Sequence, residues 1–341
     1  MAGEHVAVLY GGRSLERDVS LVTGQRVSRA LEHRGYKVTD IDVDESFVRR
    51  LEELRPDAAF IALHGKGGED GTAQELLEIL GIPYTGAGVL GSIQAMDKVL
   101  TKHILEREGI PTPPFHAFSD AAFRELGAKD ALEIIARELG MPVVVKPAAQ
   151  GSALGINFAR DTRDLPRAMV SALSFDRKVL LERQVEGREL AISILEQLPA
   201  DGGGPGGSAE GGTLPDLQVL PIVEAIPKSR HDFYDFDSRY IPGETDFVVP
   251  AELDPEVREQ VEDVARRTFV ALGCSGFGRV DVILDADCVP WVLELNTIPG
   301  LTETSLMPLA AEAAGMGFED LVEVVIKTAF AAGARRSTGV V

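Results

Sequence analysis

Residues 278–296 read GRVDVILDADCVPWVLELN, two alternating segments that flank a short polar stretch. Because successive side chains of a strand point to opposite faces, the first segment would place Arg279 and Asp281 together on one face. The second segment would turn Leu293 and Leu295 to the opposite, apolar face. The stretch therefore predicts a β-hairpin with one polar face and one buried face.

The register of this hairpin decides which polar groups meet. With the turn midway between the segments, Asp281 would lie opposite Val292 and Arg279 opposite Glu294, with Asn296 on the same face. Two carboxylates, one amide oxygen and one guanidinium would then gather at the open end. Oxygen ligands of this kind suit Mg²⁺, which keeps other positions for water and substrate phosphates. A solvated sheet face with one Arg–Glu pair would give the same pattern, and the spacing leaves both interpretations open.

A second stretch, VVVKPAAQGSALG at residues 143–155, combines a strand with a glycine-containing loop. The strand would end at Lys146, and the loop would offer backbone N–H groups and the hydroxyl of Ser152, which together could cover a triphosphate. The stretch lacks the Gly-Lys-Ser/Thr run of a P-loop. Lysines often end strands before glycine turns, so the motif alone also allows a purely structural role.

The first 71 residues alternate strands with helices. Apolar runs predict strands at 5–10, 36–43 and 57–63, and a helical pattern extends over 17–34. This order predicts a parallel sheet whose loops at the carboxyl ends of the strands hold ligands. Gly11-Gly12, the glycine cluster 65–71 and His64 fall at such ends. The sequence Gly11-Gly12-Arg13 lacks the dinucleotide fingerprint, which disfavours a nicotinamide dehydrogenase.

The pattern of predicted helices and strands changes twice along the chain. This predicts three domains, which is consistent with a length of 341 residues. Residues 1–97 would form a parallel α/β domain, residues 98–188 a smaller α+β domain, and residues 189–341 a domain that contains the hairpin. The fold class is therefore α/β and α+β. Residues 200–212 include seven glycines and are expected to form a flexible surface insertion without a functional role.

Composition disfavours several function classes. The 34 basic and 54 acidic residues give a formal net charge of −20, and so acidic a chain would repel nucleic acid and anionic membrane surfaces. No apolar run approaches the ~18 residues of a membrane span, and the first apolar run lacks the basic flank of a signal peptide. Cys274 and Cys288 are too few for a disulfide framework or a cysteine metal site. We therefore expect a protein of the reducing cytoplasm.

Eight motifs, each weak alone, follow one another along the chain. They are GGRSLERDVS (11–20), ALHGKGGEDGT (62–72), PYTG (83–86), MDK (96–98), KPAAQGSALG (146–155), FYDF running to RY (233–240), GRVDV (278–282) and ELNTIPG (294–300). Together they resemble the ATP-grasp carboxylate-amine ligases and, in detail, the D-alanine:D-alanine ligase family, over nearly the whole chain. The resemblance implies a three-domain ATP-grasp architecture with a Rossmann-like N-terminal domain and ATP between the central and C-terminal domains.

The resemblance also implies a role for each matching residue. The implied ATP contacts are Lys98, Lys146 and Ser152 near the phosphates, Glu182 at adenine, Glu189 at ribose, and Arg239 at the γ-phosphate from a mobile lid. The implied ligands of two Mg²⁺ (or Mn²⁺) ions are Asp281, Glu294 and Asn296. The implied substrate-binding residues are Glu16, His64, Ser305 and Leu306. The implied catalytic residues are a hydrogen-bonded triad of Glu16, Ser152 and Tyr240, with Arg279 and the N–H of Gly300 as oxyanion donors.

The implied reaction joins two D-alanines in two steps for peptidoglycan precursor synthesis. The carboxylate of the first D-alanine attacks the γ-phosphorus of ATP to give D-alanyl phosphate and ADP, and the amino group of the second then attacks the acyl carbon. Tyr240 favours an amine acceptor, since family members that use a hydroxy acid commonly carry Phe there. Three features depart from the family pattern, namely Ala153 after Ser152, Arg239 in place of a frequent Lys, and the insertion at 200–212.

Two alternatives stay open. A related ATP-grasp ligase could join other amino acids, because pocket shape decides the substrates and the sequence supplies only part of that shape. A catalytically silent nucleotide-binding module would be expected to lose metal ligands or the oxyanion arginine, yet Asp281, Glu294 and Arg279 are present. The expected partners are D-alanine and ATP, without nucleic acid or membrane, and the resemblance implies a homodimer.

Overall fold

Three β-sheets organise the parts of the chain that the computed structural model describes, namely residues 3–125, 128–198, 216–228 and 245–337. Arg239, Tyr240 and the predicted insertion at 200–212 lie outside these residues. Within the described ranges, no helix combines the length and the apolar surface needed to cross a lipid bilayer.

The first sheet is parallel, as the order of strands and helices predicts. Its strands are β1 (His5–Tyr10), β2 (Lys37–Asp42) and β3 (Ala58–Ile61), arranged β2-β1-β3. Its helices are α1 (Arg17–His33), α2 (Phe47–Leu54), α3 (Thr72–Leu80) and α4 (Val89–Met96). Every residue of β3 is buried, which is typical of a parallel strand covered on both faces. The carboxyl ends of β1 and β3 open on one edge, where Gly11 and His64 follow them.

The second sheet is antiparallel and carries its own helices. Its strands are β4 (Phe115–Ser119), β5 (Val143–Pro147), β6 (Asn157–Ala159) and β7 (Lys178–Arg183), arranged β4-β7-β5-β6. The helices of this stretch are α5 (Lys98–Arg107), α6 (Asp120–Glu125), α7 (Ala128–Leu139) and α8 (Leu165–Leu173). Leu132 of α7 and Met169 of α8 share a buried cluster with Val143 and Val145 of β5. By contrast, Leu105 of α5 belongs to the core of the third sheet.

The third sheet is also antiparallel and contains the predicted hairpin. Its strands are β8 (Arg188–Glu196), β9 (Leu217–Val219), β10 (Val223–Pro227), β11 (Thr245–Val248), β12 (Phe277–Leu284) and β13 (Pro290–Asn296), arranged β11-β10-β8-β12-β13 with β9 beside β8. The helices of this stretch are α9 (Pro255–Ala271), α10 (Leu306–Ala313) and α11 (Phe318–Ser337). Val280 and Val282 of β12 pack against Phe269 of α9, so one face of the hairpin is buried as its sequence predicts.

The hairpin of β12 and β13 has a different register from the one predicted. Arg279 lies opposite Asn296, and Asp281 lies opposite Glu294. The predicted pairs, Asp281 with Val292 and Arg279 with Glu294, are therefore wrong. The polar groups still share one end of the hairpin, but the two carboxylates now face each other directly across the strands.

A β-bulge causes this shift. The pairing is interrupted after Asp281 and resumes where Val282 lies opposite Val292, so Leu293 is an extra residue on β13. A bulge re-aims the side chains next to it. Leu293 accordingly lines two of the cavities that Glu294 lines, instead of lying on the apolar core face that strict alternation predicts for it.

The last helix, α11, returns to the first sheet and packs against α1 and β3. Leu321 and Val325 belong to the same buried cluster as Val8 of β1. Arg34, at the end of α1, pairs with Glu323 of α11 at 3.1 Å. The core of the first sheet therefore includes residues from the far end of the chain.

Candidate active site

The predicted site residues converge on three adjoining cavities. The first, of about 60 Å³, is lined by Glu16, His64, Ser152, Arg279, Asn296, Gly300, Ser305 and Leu306. The second, of about 520 Å³, is lined by Lys146, Glu182, Glu189 and Leu293, among others. The third, of about 40 Å³, is lined by residues that include Asp281, Glu189 and Leu306. Lys98, Gln150 and Glu294 line both the first and the second cavity, so an elongated ligand in the second would reach the first at these residues.

Glu16 lies at the wall of the first cavity, just before α1. The hydroxyl of Ser14 accepts a hydrogen bond from the backbone N–H of Glu16 (3.2 Å) and donates one to the carbonyl oxygen of His64 (2.7 Å). Gly65 and Gly151 make room for the carboxylate, since a Cβ on Gly151 would lie 2.9 Å from its Oε2. The Ser14 hydrogen bonds and the two glycines allow the carboxylate of Glu16 to lie between the first sheet and the loop after β5.

The carboxylate of Glu16 is buried and only partly satisfied. The hydroxyl of Ser152 donates a hydrogen bond to Oε1, whereas Oε2 has no hydrogen-bond partner among the described residues. Burial raises the pKa of Glu16, and the charge of Glu69 raises it further. The hydrogen bond from Ser152 and the charges of His64 and Lys98 lower this pKa, but only in part. A buried acceptor in this state is suited to a cationic donor on a ligand.

His64 is buried where the chain leaves β3. Its Nε2 lies 3.0 Å from the hydroxyl of Thr23, and its Nδ1 lies 3.1 Å from the carbonyl oxygen of Ile298. Because a carbonyl oxygen only accepts, Nδ1 carries a proton and donates it to Ile298. Both ring nitrogens are thus engaged within the protein, and His64 joins the first sheet to the loop after β13.

Arg279 and Asp281 project from β12 towards the same side. The guanidinium holds the carboxylate through two parallel hydrogen bonds, Nε to Oδ1 at 2.6 Å and Nη2 to Oδ2 at 2.8 Å. This pair forms along one strand, and across the strands Glu294 lies opposite Asp281 instead of opposite Arg279 as predicted. The two-point contact fixes the plane of the guanidinium beside the first cavity, where it is able to stabilise an oxyanion.

Lys98 begins α5 at the junction of the first and second cavities. Its ammonium contacts Oε2 of Glu294 at 3.0 Å and donates a hydrogen bond to the carbonyl oxygen of Gln150 at 2.8 Å. An expected phosphate ligand and an expected metal ligand are therefore paired with each other. A bound phosphate–metal complex would offer both groups partners of higher charge, an anionic oxygen for the ammonium and a divalent cation for the carboxylate.

Lys146 and Glu182 form an ion pair between β5 and β7 in the wall of the second cavity. A second lysine, Lys102 of α5, contacts the other carboxylate oxygen at 2.9 Å. Burial alone would raise the pKa of Glu182, but the charges and hydrogen bonds of the two lysines hold it below its ordinary value. Glu182 therefore remains ionised although it is buried.

The loop after β5 contains two residues with left-handed backbone. Ser152 has a φ of 51° and Ala153 a φ of 56°. Residues other than glycine rarely adopt this conformation, and when they do they often lie at ligand-binding turns. The turn directs Ser152 towards the first cavity and Ala153 towards the second.

The expected metal ligands lie on paired positions of β12 and β13. Asp281 is directly opposite Glu294, and Asn296 is two residues further along β13. The described ranges contain no cluster of three His, Cys, Asp or Glu side chains that could hold a metal ion, so any site here consists of two carboxylates and one amide oxygen. Such a set fits Mg²⁺ or Mn²⁺, with phosphate oxygens and water completing the coordination.

Gly300, Ser305 and Leu306 border the first cavity near the start of α10. The hydroxyl of Ser305 accepts a hydrogen bond from the backbone N–H of Thr302 at 3.0 Å. A Cβ on Gly300 would lie 2.8 Å from that hydroxyl, so glycine permits the close approach of this loop. Tyr240, the third member of the expected triad, lies outside the described residues.

Three residues of the site were not predicted. Gln150 lines two cavities, and Glu69 is buried with its Oε1 3.6 Å from Nδ1 of His64. Both lie in loops that the sequence already marked by their glycines. Lys102 offered a weaker signal, since lysine occurs only nine times in the chain and Lys102 follows Lys98 by one helical turn.

Sequence models of one protein family match two stretches of the chain. The model described as D-ala D-ala ligase N-terminus matches residues 48–87, and that described as D-ala D-ala ligase C-terminus matches residues 104–327. The chain belongs to the D-alanine–D-alanine ligase family. The resemblance stated from the eight motifs is therefore confirmed.

Members of this family align with almost the full chain. The D-alanine–D-alanine ligase of Carboxydothermus hydrogenoformans is 44% identical over 323 residues, which cover 94% of this chain and 96% of that protein. That of Desulforudis audaxviator is 44% identical over 325 residues, covering 95% and 98%. The crystal structure of the Bacillus anthracis D-alanine–D-alanine ligase complexed with ATP has a TM-score of 0.77 and 32% identity, covering 98% and 100%. The predicted ATP-grasp fold class is confirmed.

Proposed function

We propose that the protein is a D-alanine–D-alanine ligase, which joins two D-alanines at the expense of ATP and releases ADP and phosphate. The observation that carries this proposal is the junction of the first and second cavities at Lys98, Gln150 and Glu294. The second cavity falls within the roughly 300–1,000 Å³ of typical ligand sites, whereas the first admits only small groups. The phosphate end of a nucleotide would therefore meet a small amino acid at this junction.

The first D-alanine binds with its ammonium at Glu16. Oε2 of Glu16 is buried without a hydrogen-bond partner among the described residues, and a charged donor there would compensate the cost of burial. The ring of His64, held from both sides, forms a rigid wall beside the carboxylate of this substrate. With the ammonium fixed, the substrate carboxylate points towards Lys98 and the phosphates.

In the first step, an oxygen of the substrate carboxylate attacks the γ-phosphorus of ATP. A new P–O bond forms, the bond to the β-phosphate oxygen breaks, and D-alanyl phosphate and ADP result. Both reactants are anionic, so fixed positive charges must offset their repulsion. Lys98 and Lys146 supply such charges at the cavity wall, and Arg239 is proposed to add another at the γ-phosphate.

In the second step, the amino group of the second D-alanine attacks the acyl carbon. The tetrahedral intermediate carries an oxyanion, and the guanidinium of Arg279 and the backbone N–H of Gly300 are proposed to stabilise it, since both residues line the first cavity. Collapse of the intermediate expels phosphate, and the former amine loses a proton to leave the peptide bond. Ser305 and Leu306 hold the second D-alanine at the start of α10.

Asp281, Glu294 and Asn296 are proposed to hold Mg²⁺ or Mn²⁺ ions, which when bound neutralise charge on the transferring phosphate. The chain orients the two carboxylates beforehand, through the Arg279 fork on Asp281 and the Lys98 contact with Glu294. To bind a metal, the two carboxylates would exchange these contacts for the cation.

The decisive experiment measures ATP-dependent phosphate release with D-Ala, L-Ala, D-Ser and D-lactate, offered singly and in pairs, and identifies the product by mass. The proposal predicts release with D-Ala and a product with the mass of D-alanyl-D-alanine. Phosphate release that does not depend on D-Ala would rule the proposal out. A product that contains another amino acid would identify a related dipeptide ligase.

The metal assignment has its own test in Asp281→Asn and Glu294→Gln. Each replacement removes one ligand charge, and turnover should fall by about 100-fold or more. Thermal denaturation should change little, because the replacements keep the shape of the side chains. Asp287→Asn, at an exposed position in the turn of the same hairpin, is the matched control. Turnover near the wild-type value in both variants would show the assignment to be wrong.

We also propose that the enzyme works in the cytoplasm, where ATP is available. The two cysteines are free thiols, Cys274 buried and Cys288 exposed, and an exposed free thiol suits a reducing compartment. The homodimer is proposed from the family resemblance alone, and the molar mass in solution measured by light scattering tests it.

A further inference from the structure

Lys102 lies one helical turn after Lys98 on α5, behind the wall of the second cavity. Its side chain is fully buried, and it is not among the residues that line the cavity. Its ammonium contacts Oε2 of Glu182 at 2.9 Å and donates hydrogen bonds to the hydroxyl of Thr112 at 2.7 Å and the carbonyl oxygen of Pro113 at 2.9 Å. One carboxylate and two neutral oxygens therefore hold the ammonium in a single position.

A lysine in this position is costly to the fold. Burial lowers the pKa of Lys102 to about 8. The charge of Lys146 also lowers this pKa, whereas the charge of Glu182 opposes the shift. Apolar residues of similar volume usually fill such places at lower cost. A buried charge directly behind a ligand cavity therefore calls for a functional explanation.

The charges around Glu182 indicate what that function is. Lys146 and Glu182 alone would form a neutral pair, and Lys102 gives the three side chains a net charge of +1. Lys146 contacts Oε1 and Lys102 contacts Oε2, so the carboxylate is held from both sides. The carboxylate in turn fixes the ammonium of Lys146, which lines the cavity.

A further contact ties this cluster to the expected metal ligands. The hydroxyl of Thr112, which accepts from Lys102, donates a hydrogen bond to the carbonyl oxygen of Val292 at 2.8 Å. Val292 precedes the bulge that places Leu293 and Glu294 in the cavity wall. Lys102 therefore connects α5 and β7 to the strand that carries Glu294.

We propose that Lys102 is a positioning residue for nucleotide binding, which holds Glu182 so that Lys146 keeps its place and the cluster keeps a positive charge towards the phosphates. Lys102 touches no substrate and acts through its two partners. The inference rests on the proposed function for the identity of the nucleotide. Nucleotide binding is nevertheless measurable without ligation, so the two proposals fail in different experiments.

The test compares Lys102→Met with Leu105→Ala. Met keeps much of the length and removes the charge, whereas Leu105 is a buried residue of the same helix outside the cluster. Calorimetry with the non-hydrolysable analogue AMP-PNP and Mg²⁺ should show binding about tenfold weaker in K102M, as expected for the loss of one charge near an anion. L105A should lower the melting temperature yet bind AMP-PNP like the wild type. In steady-state assays, K102M should raise KM for ATP and leave KM for D-Ala unchanged.

If K102M does not fold, Thr112→Val removes one acceptor of the ammonium and should weaken binding by about threefold.

Two results would overturn the inference: wild-type AMP-PNP affinity in folded K102M or, in its place, in T112V; or an equal loss of affinity in L105A. Wild-type protein that binds AMP-PNP without forming a dipeptide would instead contradict the proposed function, and the Lys102 measurements would stand.

Discussion

Individual charged side chains around the cavities carry a high cost of burial. Glu16, Glu182 and Lys102 have exposed fractions of 5%, 3% and 0%, and an unpaired charge at such depth costs several kcal/mol. Glu182 and Lys102 offset much of this cost by contacting each other. Glu16 receives one hydrogen bond from Ser152 and keeps one oxygen without a partner among the described residues. A carboxylate that was fully satisfied by the protein would have little left to offer a substrate ammonium.

Glu16→Gln is therefore expected to lower the activity and to raise the stability of the fold. The variant loses the charge that attracts the first substrate, so kcat/KM for D-Ala should fall by about 100-fold or more. It also removes a buried charge, which should stabilise the fold by about 1 kcal/mol and raise Tm by about 2–4 °C. Steady-state kinetics and calorimetry at neutral pH measure both effects.

The pH dependence of this gain follows from the raised pKa of Glu16. The carboxyl group of Glu16 binds its proton more tightly in the native state than in the unfolded state. The stability that this proton gives the fold is present at low pH and is lost as the pH rises through the folded-state pKa. The advantage of E16Q should grow from acid to neutral pH. Glu312→Gln, at an exposed position of α10, is the control. A Tm gain that is the same at all pH values would contradict the assignment.

The sequence predicts residues such as Glu16 better than residues such as Lys102. Glu16 lies within a motif whose order along the chain identifies the family. The burial of Lys102 depends on Glu182, which is 80 positions away and reaches it only when α5 packs beside β7. Lysine is rarely buried without a partner, so local sequence alone would place Lys102 at the surface. Long-range pairing of this kind is what sequence patterns do not encode.

The hairpin shows the same limit at the scale of an element. Alternation in β12 and β13 correctly predicts a buried face and a polar face, because the period of two is a local property. Alternation does not fix the register of the two strands. A one-residue bulge after Asp281 shifts the pairing, yet the residues on each side of the bulge still alternate. The bulge brings Glu294 opposite Asp281 and adds Leu293 to the cavity wall. The metal ligands predicted from the family resemblance do not depend on this register.

Helix α5 is a second element whose placement serves the site. Asp97 caps its N-terminus, accepting hydrogen bonds from the backbone N–H groups of Val99 (2.9 Å) and Leu100 (3.2 Å). The same carboxylate pairs with Lys178 of β7 at 2.8 Å. The cap therefore fixes both the start of the helix and the position of Lys98 next to it.

Asp97→Ala should lower the free energy of unfolding by about 1–2 kcal/mol, because it removes the cap and leaves two backbone donors without an acceptor. Urea denaturation measures the loss. Asp254→Ala is a matched control, since Asp254 occupies the N-cap position of α9 without a side-chain hydrogen bond to the helix. Similar losses in the two variants would mean that the Asp97 contacts contribute little.

Across the whole molecule, the charge of −20 says little about the site. Two cations of the cavities are paired with carboxylates, Lys98 with Glu294 and Arg279 with Asp281. A bound nucleotide would have to exchange partners with these pairs. Net charge disfavours polyanions such as nucleic acid, because they meet the surface as a whole. It does not exclude ATP, which meets a few oriented groups.

The path of the chain also bears on the predicted domain boundary at residue 97. The core of the first sheet includes Leu321 and Val325 of α11, and Tyr36 stacks on Phe330 with ring centroids 6.3 Å apart. A fragment of residues 1–97 would expose the apolar side chains that α11 covers, and small domains tolerate such losses poorly.

We therefore expect the isolated 1–97 fragment to lack a cooperative unfolding transition in urea, followed by circular dichroism. The full chain should unfold with this region included, because its core is shared between the two ends of the sequence. Adding a peptide of residues 316–341 in excess should restore a transition, since binding to the folded state alone stabilises it. A peptide with Leu321 and Val325 replaced by Asp should fail to do so. Cooperative unfolding of the fragment without any peptide would show that residues 1–97 fold independently and do not need α11.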